Sequence, residues 1–168
     1  MFRKGNNLNI SGYTDADWAG SIEDRQSTSG YFTFVGENVV TWLSKKLEVV
    51  ARSSAEAEYR GIAKEICELL WIRNLMQDLN IKQDNPMRLY CDNKVACNIA
   101  HNPIQHDRTK HVEIDRHFIK EKLEAKLIEV PHVRSQDQLA DVLTKAKSSQ
   151  VFHNCLENLR MSDIYAPT

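Results

Sequence analysis

The period of the apolar positions changes at Ser53. Before it, Leu8–Thr14 alternates small, polar and apolar residues, and Gly30–Val35 (GYFTFV) and Val39–Ser44 (VVTWLS) are rich in β-branched and aromatic side chains. Such runs predict strands, and Gly36-Glu37-Asn38 predicts a hairpin between the last two, giving a three-stranded antiparallel meander. Ser53-Ser54-Ala55-Glu56 then has the form of a capping box, the serine accepting an orphan helix N–H and the glutamate reaching back. Ala55, Tyr59, Ile62, Ile66, Leu69, Leu70, Met76 and Leu79 follow helical spacing until Asn85-Pro86 breaks it. Met87–Cys91 predicts a short strand, Asn93–Ala100 a short helix and Lys110–Ala125 a longer one. Leu127–Val133 predicts a strand near a sheet edge, because Pro131 cannot donate to a ladder. A second capping-box pattern, Ser135-Gln136-Asp137-Gln138, predicts a helix through Leu143, and Val151–Leu159 a final amphipathic one.

This order is an α/β pattern: a hairpin sheet of strands 1–3 extended by strands 4 and 5, which need helical crossovers and so run parallel. The expectation is a five-stranded mixed sheet flanked by helices, with function where strand ends meet helix starts. A chain of 168 residues predicts a single domain over 1–168, its core between about residues 8 and 161. All six glycines lie at or before Gly61, which leaves the remainder to helices and to turns built from Asn, Asp and Pro. A net charge of -1 excludes a binder working by bulk positive charge, but not a basic face within a balanced total. No apolar run approaches a membrane span, and Met1–Gly12 lacks a signal-peptide core. Cys67, Cys91, Cys97 and Cys155 form no C-x-x-C pair, which suits small hydrophobes in a reducing compartment. The expected location is cytoplasmic or nuclear, not secreted.

Four acids carry the chemistry. Asp15 follows the first strand and Asp92 the fourth, positions where turn and N-cap residues are common. Glu58 is less easily explained that way: Ile62, Ile66 and Leu69 lie within roughly 80° of it on a helical wheel, and Glu56 about 160° away. A carboxylate on a core-facing stripe needs a partner. Asp141 sits one turn into the helix expected over Gln138–Leu143. If the sheet gathers these four, they cannot all stay ionised without a multivalent cation, and hard oxygens select Mg²⁺ or Mn²⁺. Two ions roughly 4 Å apart activate water and stabilise the leaving oxygen of a phosphodiester. Asp17 shares strand parity with Asp15, so spacing leaves both open.

Seven segments occur in order: Tyr13–Gly20 (YTDADWAG), Ser27–Tyr31 (STSGY), Val40–Lys46 (VTWLSKK), Ala51–Tyr59 (ARSSAEAEY), Tyr90–Asn93 (YCDN), Arg108–Val112 (RTKHV) and Gln138–Lys145 (QLADVLTK). Together they resemble the ribonuclease H domain of copia-type retrotransposon Pol polyproteins, especially plant ones, over about residues 8 to 166. The resemblance implies the ribonuclease H fold, cleavage of the RNA strand of RNA–DNA hybrids, and a reverse transcriptase domain in the parent polyprotein. It also implies virus-like particles as a further location, and an Asp–Glu–Asp–Asp cluster for two Mg²⁺ (Mn²⁺ substituting) at Asp15, Glu58, Asp92 and Asp141. It favours Asp15 over Asp17. Leu47 departs from the usual Gln after the SKK run.

The family's mobile histidine would fall near His132, nine residues before Asp141. Lys45, Lys46, Arg52 and Arg60 flank the hairpin and first helix, as phosphate contacts or as a solvated face. The RTKH motif places Arg108, Lys110 and His111 near substrate or as braces. His101, His106, His111 and His117 are spaced five, five and six apart, unlike the i, i+4 pair of a zinc helix. Trp18, Trp42 and Trp71 are assigned to the core ahead of base stacking. Two rival readings remain: a catalytically inactive hybrid-binding or scaffolding module, and an integrase-like strand transferase. The resemblance gives the latter a final Glu about 35 residues after the second strand acid, where this chain has Asp141, 49 after Asp92.

Overall fold

A computed structural model describes residues 8–19, 26–47, 51–101, 113–159 and 161. Strands β1 (Ile10–Asp17), β2 (Thr28–Val35) and β3 (Asn38–Lys46) form the antiparallel meander, with Gly36-Glu37 as the two-residue turn between the last two. β4 (Met87–Tyr90) and β5 (Ile128–Glu129) add in parallel, giving the order β3-β2-β1-β4-β5. Helix α1 (Ser54–Asp78) crosses from β3 to β4; α2 (Lys94–His101) and α3 (Glu113–Glu124) lie between β4 and β5. A 3-10 turn (Ser135–Asp137), α4 (Asp141–Thr144) and α5 (Ser149–Asn158) complete the described elements. Arg108, Lys110 and His111 lie outside the described residues.

The sheet has two faces of different character, set by strand alternation. Gly12 and Thr33 are paired and face α1, where Ile62, Ile66, Leu69, Ile72 and Met76 pack on Ile10, Met87 and Leu89. Fully burying each such side chain contributes about 1.5–3 kcal/mol. Ala96, Ala100 and Ile119 bring α2 and α3 into the same core. Asp15 and its partner Gly30 face the other way, towards α4, on the face where Phe32 and Phe34 pack with Ala140, Cys155 and Leu159. A β-carbon at Gly30 would lie 2.6 Å from the Leu143 Cβ, so glycine is what lets α4 settle on the sheet.

Several sequence expectations are corrected. Asp15 lies within β1, which runs to Asp17, three residues beyond the strand end expected at Thr14. The edge strand expected over Leu127–Val133 shrinks to two residues plus a bridge from Cys91 to His132, as the missing N–H of Pro131 requires. The second capping box does not form. Gln138 is buried, donates from Nε2 to the Thr14 carbonyl and accepts the Ala140 N–H, and so spends both ends tying this segment to β1. The helix therefore starts at Asp141, not at Gln138.

The tryptophans are not core either. Trp18, Trp42 and Trp71 are 46%, 63% and 55% exposed. Trp42 stands on the edge strand beyond Phe32, Trp71 is on the flank of α1 away from the buried stripe, and Trp18 follows β1 with its indole N–H donated to the Ala51 carbonyl. All four cysteines are free thiols, but Cys67 is exposed, unlike the buried Cys91, Cys97 and Cys155.

Candidate metal centre

Local structure explains why Glu58, Asp92 and Asp141 are not taken up as helix caps. At the start of α1, Ser53 Oγ accepts the Glu56 N–H at 3.1 Å. Glu56 Oε2 accepts the Arg52 N–H and its other oxygen pairs with Arg60. Capping thus occupies Glu56 and leaves Glu58, two residues on and about 160° round the helix, turned inward. At α2 the cap is Asn93, whose Oδ1 accepts the N–H groups of Val95 and Ala96, both at 3.0 Å. Asp92, next to it, is released from the cap role that its position suggested. Asp141 opens α4 with no side-chain cap.

The four converge. Carboxylate oxygens of Asp15, Asp92 and Asp141 lie within 4.8 Å of one another, and so do ligand atoms of Glu58, Cys91 and Asp92. Asp17 is in neither group, although it lines an open cleft of about 340 Å³ with Trp18, Ser54, Glu58, Asp92, Asn93 and Lys145. Asp15 is completely buried, Glu58 and Asp141 nearly so. Burial pushes the Asp15 carboxyl up, tempered by a hydrogen bond from Thr144 Oγ1 to Oδ2 and by the Lys145 charge. Burial, then the charge of Asp15, raise the Glu58 carboxyl to about 9, against the opposing Ala16 N–H bond. Burial acts on Asp141 too, but hydrogen bonds and charge from Lys145 and Lys147 outweigh it and hold that carboxyl below its ordinary value.

Such a donor set fits a hard divalent cation. It offers four carboxylates, and Glu58, in no ion pair among the described residues, is driven towards its neutral form by burial and then by its acidic neighbours. Cys91 Sγ, 4.0 Å from Glu58 Oε2, is the one soft atom beside it.

His132 comes next to the cluster: its exposed ring places Nε2 3.1 Å from the Asp92 carbonyl, an acceptor, so that nitrogen carries the proton. Lys46 shares a cross-strand row with Thr28 and Asp17, which puts it roughly two strand spacings (~10 Å) away. Lys45 is one residue over and faces the opposite side of the sheet. Arg52 is exposed ahead of α1, whereas Arg60 is committed to Glu56 at 3.0 Å and does not join the acids. Sequence reasoning missed Thr144, Lys145 and Lys147. The signal was available: Lys145 stands four residues after Asp141 in a helical stretch, the spacing of a helix ion pair.

Known proteins agree with this picture. The chain is 45% identical over 154 residues to the Retrovirus-related Pol polyprotein from transposon RE2 of Arabidopsis thaliana, covering 92% of this chain and 11% of that protein. It matches the corresponding polyprotein of transposon TNT 1-94 from Nicotiana tabacum at 36% identity over 153 residues, 90% of this chain and 11% of that one. LC11-RNase H1, isolated from compost, superposes with a TM-score of 0.62 at 14% identity, over 89% of this chain and 99% of that one. The chain is a ribonuclease H-fold homologue of plant retrotransposon Pol polyproteins. It spans about a tenth of the length of those polyproteins. The foamy viral protease-reverse transcriptase in complex with RNA/DNA hybrid carries the same fold, with a TM-score of 0.59 at 13% identity over 82% of this chain and 20% of that one. No protein-family model matches the chain. Among the described residues, no helix of this ribonuclease H fold is long and apolar enough to cross a membrane.

Proposed function

We propose that the chain is a metal-dependent endoribonuclease that hydrolyses the RNA strand of RNA–DNA hybrids during reverse transcription of a copia-type element. The observation that carries this reading is the gathering of Asp15, Asp92 and Asp141 within 4.8 Å of one another, with Glu58 beside Asp92 at the edge of an open cleft. Two Mg²⁺ ions, with Mn²⁺ as a substitute, are the proposed cofactors: Asp15, Glu58, Asp92 and Asp141 would hold them, Glu58 and Asp92 serving one ion, Asp141 the other, and Asp15 both. When bound, they supply Lewis acidity to the phosphodiester and lower the pKa of an attacking water. The protein's own part is positional. Gln138 and Ser44 anchor α4 to β1 and β3, holding Asp141 against Asp15. Burial of Asp15 and Glu58 keeps bulk water from competing for their oxygens. The exposed His132 beside Asp92 is the proposed auxiliary group, placed to protonate or escort the leaving strand.

RNA is selected by contacts to 2′-hydroxyls across a shallow minor groove. Lys46, in the cross-strand row of Asp17, and the exposed Arg52 ahead of α1 are the proposed phosphate contacts. Support for the substrate comes from solved structures of the same fold bound to RNA/DNA hybrid, LC11-RNase H1 and the foamy viral enzyme among them. In the parent polyprotein the proposed neighbour is a reverse transcriptase domain, working in the cytoplasm, nucleus or a virus-like particle. The test is an end-labelled hybrid incubated with the chain, with and without Mg²⁺, against duplex DNA and single-stranded RNA. Cleavage confined to the hybrid's RNA strand and lost in Asp92→Asn is expected; an unchanged Asp92→Asn variant overturns the assignment. Metal-independent binding without cleavage would favour the scaffolding module instead.

A further inference from the structure

Two lysines stand inside the acid cluster. Lys145 Nζ lies 3.0 Å from Asp15 Oδ1 and 2.6 Å from Asp141 Oδ1, while Lys147 Nζ lies 2.7 Å from Asp141 Oδ2. With the Thr144 hydroxyl on Asp15 Oδ2, every carboxylate oxygen of this pair is engaged by a donor from one short segment, residues 144–147. The lysine ammonium thus stands between the two carboxylates that a divalent ion would have to share. An ammonium has no lone pair to offer and repels a second cation, so the two cannot hold the same oxygens at once. Asp15 is rigid and buried, but the Lys145 side chain is 35% exposed at the cleft wall and rides on a flexible four-carbon stem. It can withdraw.

We propose that Lys145, assisted by Lys147, is an exchangeable internal counter-ion. In the ion-free protein it keeps Asp15 and Asp141 together against their repulsion, and it yields their oxygens when a divalent ion binds. This rests on the reading of the four acids as metal ligands. Lys145 is a positioning residue: it acts on the ion through the carboxylates. The arrangement lets a crowded cluster fold before it is loaded, at the cost of weaker ion affinity.

Mn²⁺ titration of the whole chain, with free ion read by electron paramagnetic resonance, tests the exchange. Thermal melts in EDTA and in saturating Mn²⁺ accompany it. Lys145→Met is expected to bind Mn²⁺ about tenfold more tightly than wild type, and to melt several degrees lower in EDTA, a gap that Mn²⁺ closes. A residue that merely supports the fold would weaken ion binding when replaced, the opposite sign. Lys145→Arg, which keeps the charge, is expected within threefold of wild-type affinity. If wild type binds Mn²⁺, Asp92→Asn abolishes that binding, and Lys145→Met binds equally or more weakly, the counter-ion is overturned and the metal cluster stands. Wild-type binding that is absent or indifferent to Asp92→Asn removes the cluster reading and the exchange together. Should Lys145→Met not fold, Lys145→Gln replaces it; failure of both to fold even in Mn²⁺ marks Lys145 as a structural support and overturns the proposal.

Discussion

Helix α1 buries two glutamates seven residues apart, and they have opposite fates. Glu58 and Glu65 lie on nearly the same stripe, since seven residues bring a helix round to within about 20°. Both are pushed upward in pKa, chiefly by burial. Around Glu58 charges from other elements act next: Asp15 and Asp92 raise it further, the Ala16 N–H and Lys145 oppose them, and the cleft is open to solvent. Around Glu65 they are local and closed. Thr33 Oγ1 donates to Oε1 at 2.9 Å, Oε2 has no hydrogen-bond partner among the described residues, Glu68 one turn on adds a further upward push, and a β-carbon at Gly12 would come within 2.5 Å of Oε1. Burial alone therefore does not make a metal ligand. What distinguishes Glu58 is the company of carboxylates from other elements at a cleft, while Glu65 is plugged into the sheet, its carboxyl pushed up chiefly by burial.

Exchanging each carboxyl for its amide breaks the comparison most sharply. Glu58→Gln is expected to cost at least about 100-fold in hybrid cleavage, more than the loss of an outer-shell partner usually does. The circular dichroism spectrum should be unchanged. Glu65→Gln should leave cleavage within a few-fold of wild type. Equal losses from the two would mean that Glu65 reaches the site by some route its closed pocket does not provide.

The next largest effect belongs to Gly12→Ala. Its new methyl would press on Glu65 Oε1 and the Leu89 side chain, and overpacking of this kind costs about 1–3 kcal/mol. Urea denaturation should register that loss. In a Glu65→Ala background, where the carboxylate is gone, the same substitution should cost measurably less.

Acidity gives a smaller, directional effect. Glu65 has a folded-state pKa well above 4.5, so its contribution is fully present below about that pH and is lost as pH rises and the buried carboxyl is asked to ionise. The folded state holds the extra proton, and linkage makes stability fall with pH by at most about 1.4 kcal/mol per unit. Glu65→Gln should flatten the stability profile above pH 4.5. A profile as steep as that of wild type would show that the slope comes from elsewhere.

The same pair marks the limit of what was legible in the sequence. The wheel that set Glu58 beside Ile62, Ile66 and Leu69 places Glu65 there as well, and only the motif Ala51–Tyr59 separated them. The antiparallel meander, the parallel strands after it and α1 with its Ser53 cap could be read because each leaves a local signature of period or cap chemistry, and motif position singled out four acids that the fold brings close. The second cap could not. Ser135–Gln138 has the right residue types, but Gln138 finds a better partner 124 residues away in the Thr14 carbonyl. Nor could the exposure of Trp42, which depends on β3 being an edge strand that α4 reaches at Ser44 but does not cover at Trp42. Long-range pairing overrides local propensity at both places.

The smallest effect sharpens the protonation claim itself. Thr33→Val keeps the shape and removes the hydroxyl that donates to Glu65. A hydrogen bond between neutral groups contributes about 0.5–1.5 kcal/mol, and one to a charged group about 1.5–3. If Glu65 is neutral, the substitution should cost about 1 kcal/mol at pH 5. The cost should grow at higher pH, because the Thr33 bond favours the ionised carboxyl and lowers its pKa against the pull of burial. Chemical denaturation of wild type and variant at pH 5 and pH 8 measures both terms. A cost above about 2 kcal/mol already at pH 5 would indicate an ionised Glu65, and the contrast with Glu58 would then rest on geometry alone.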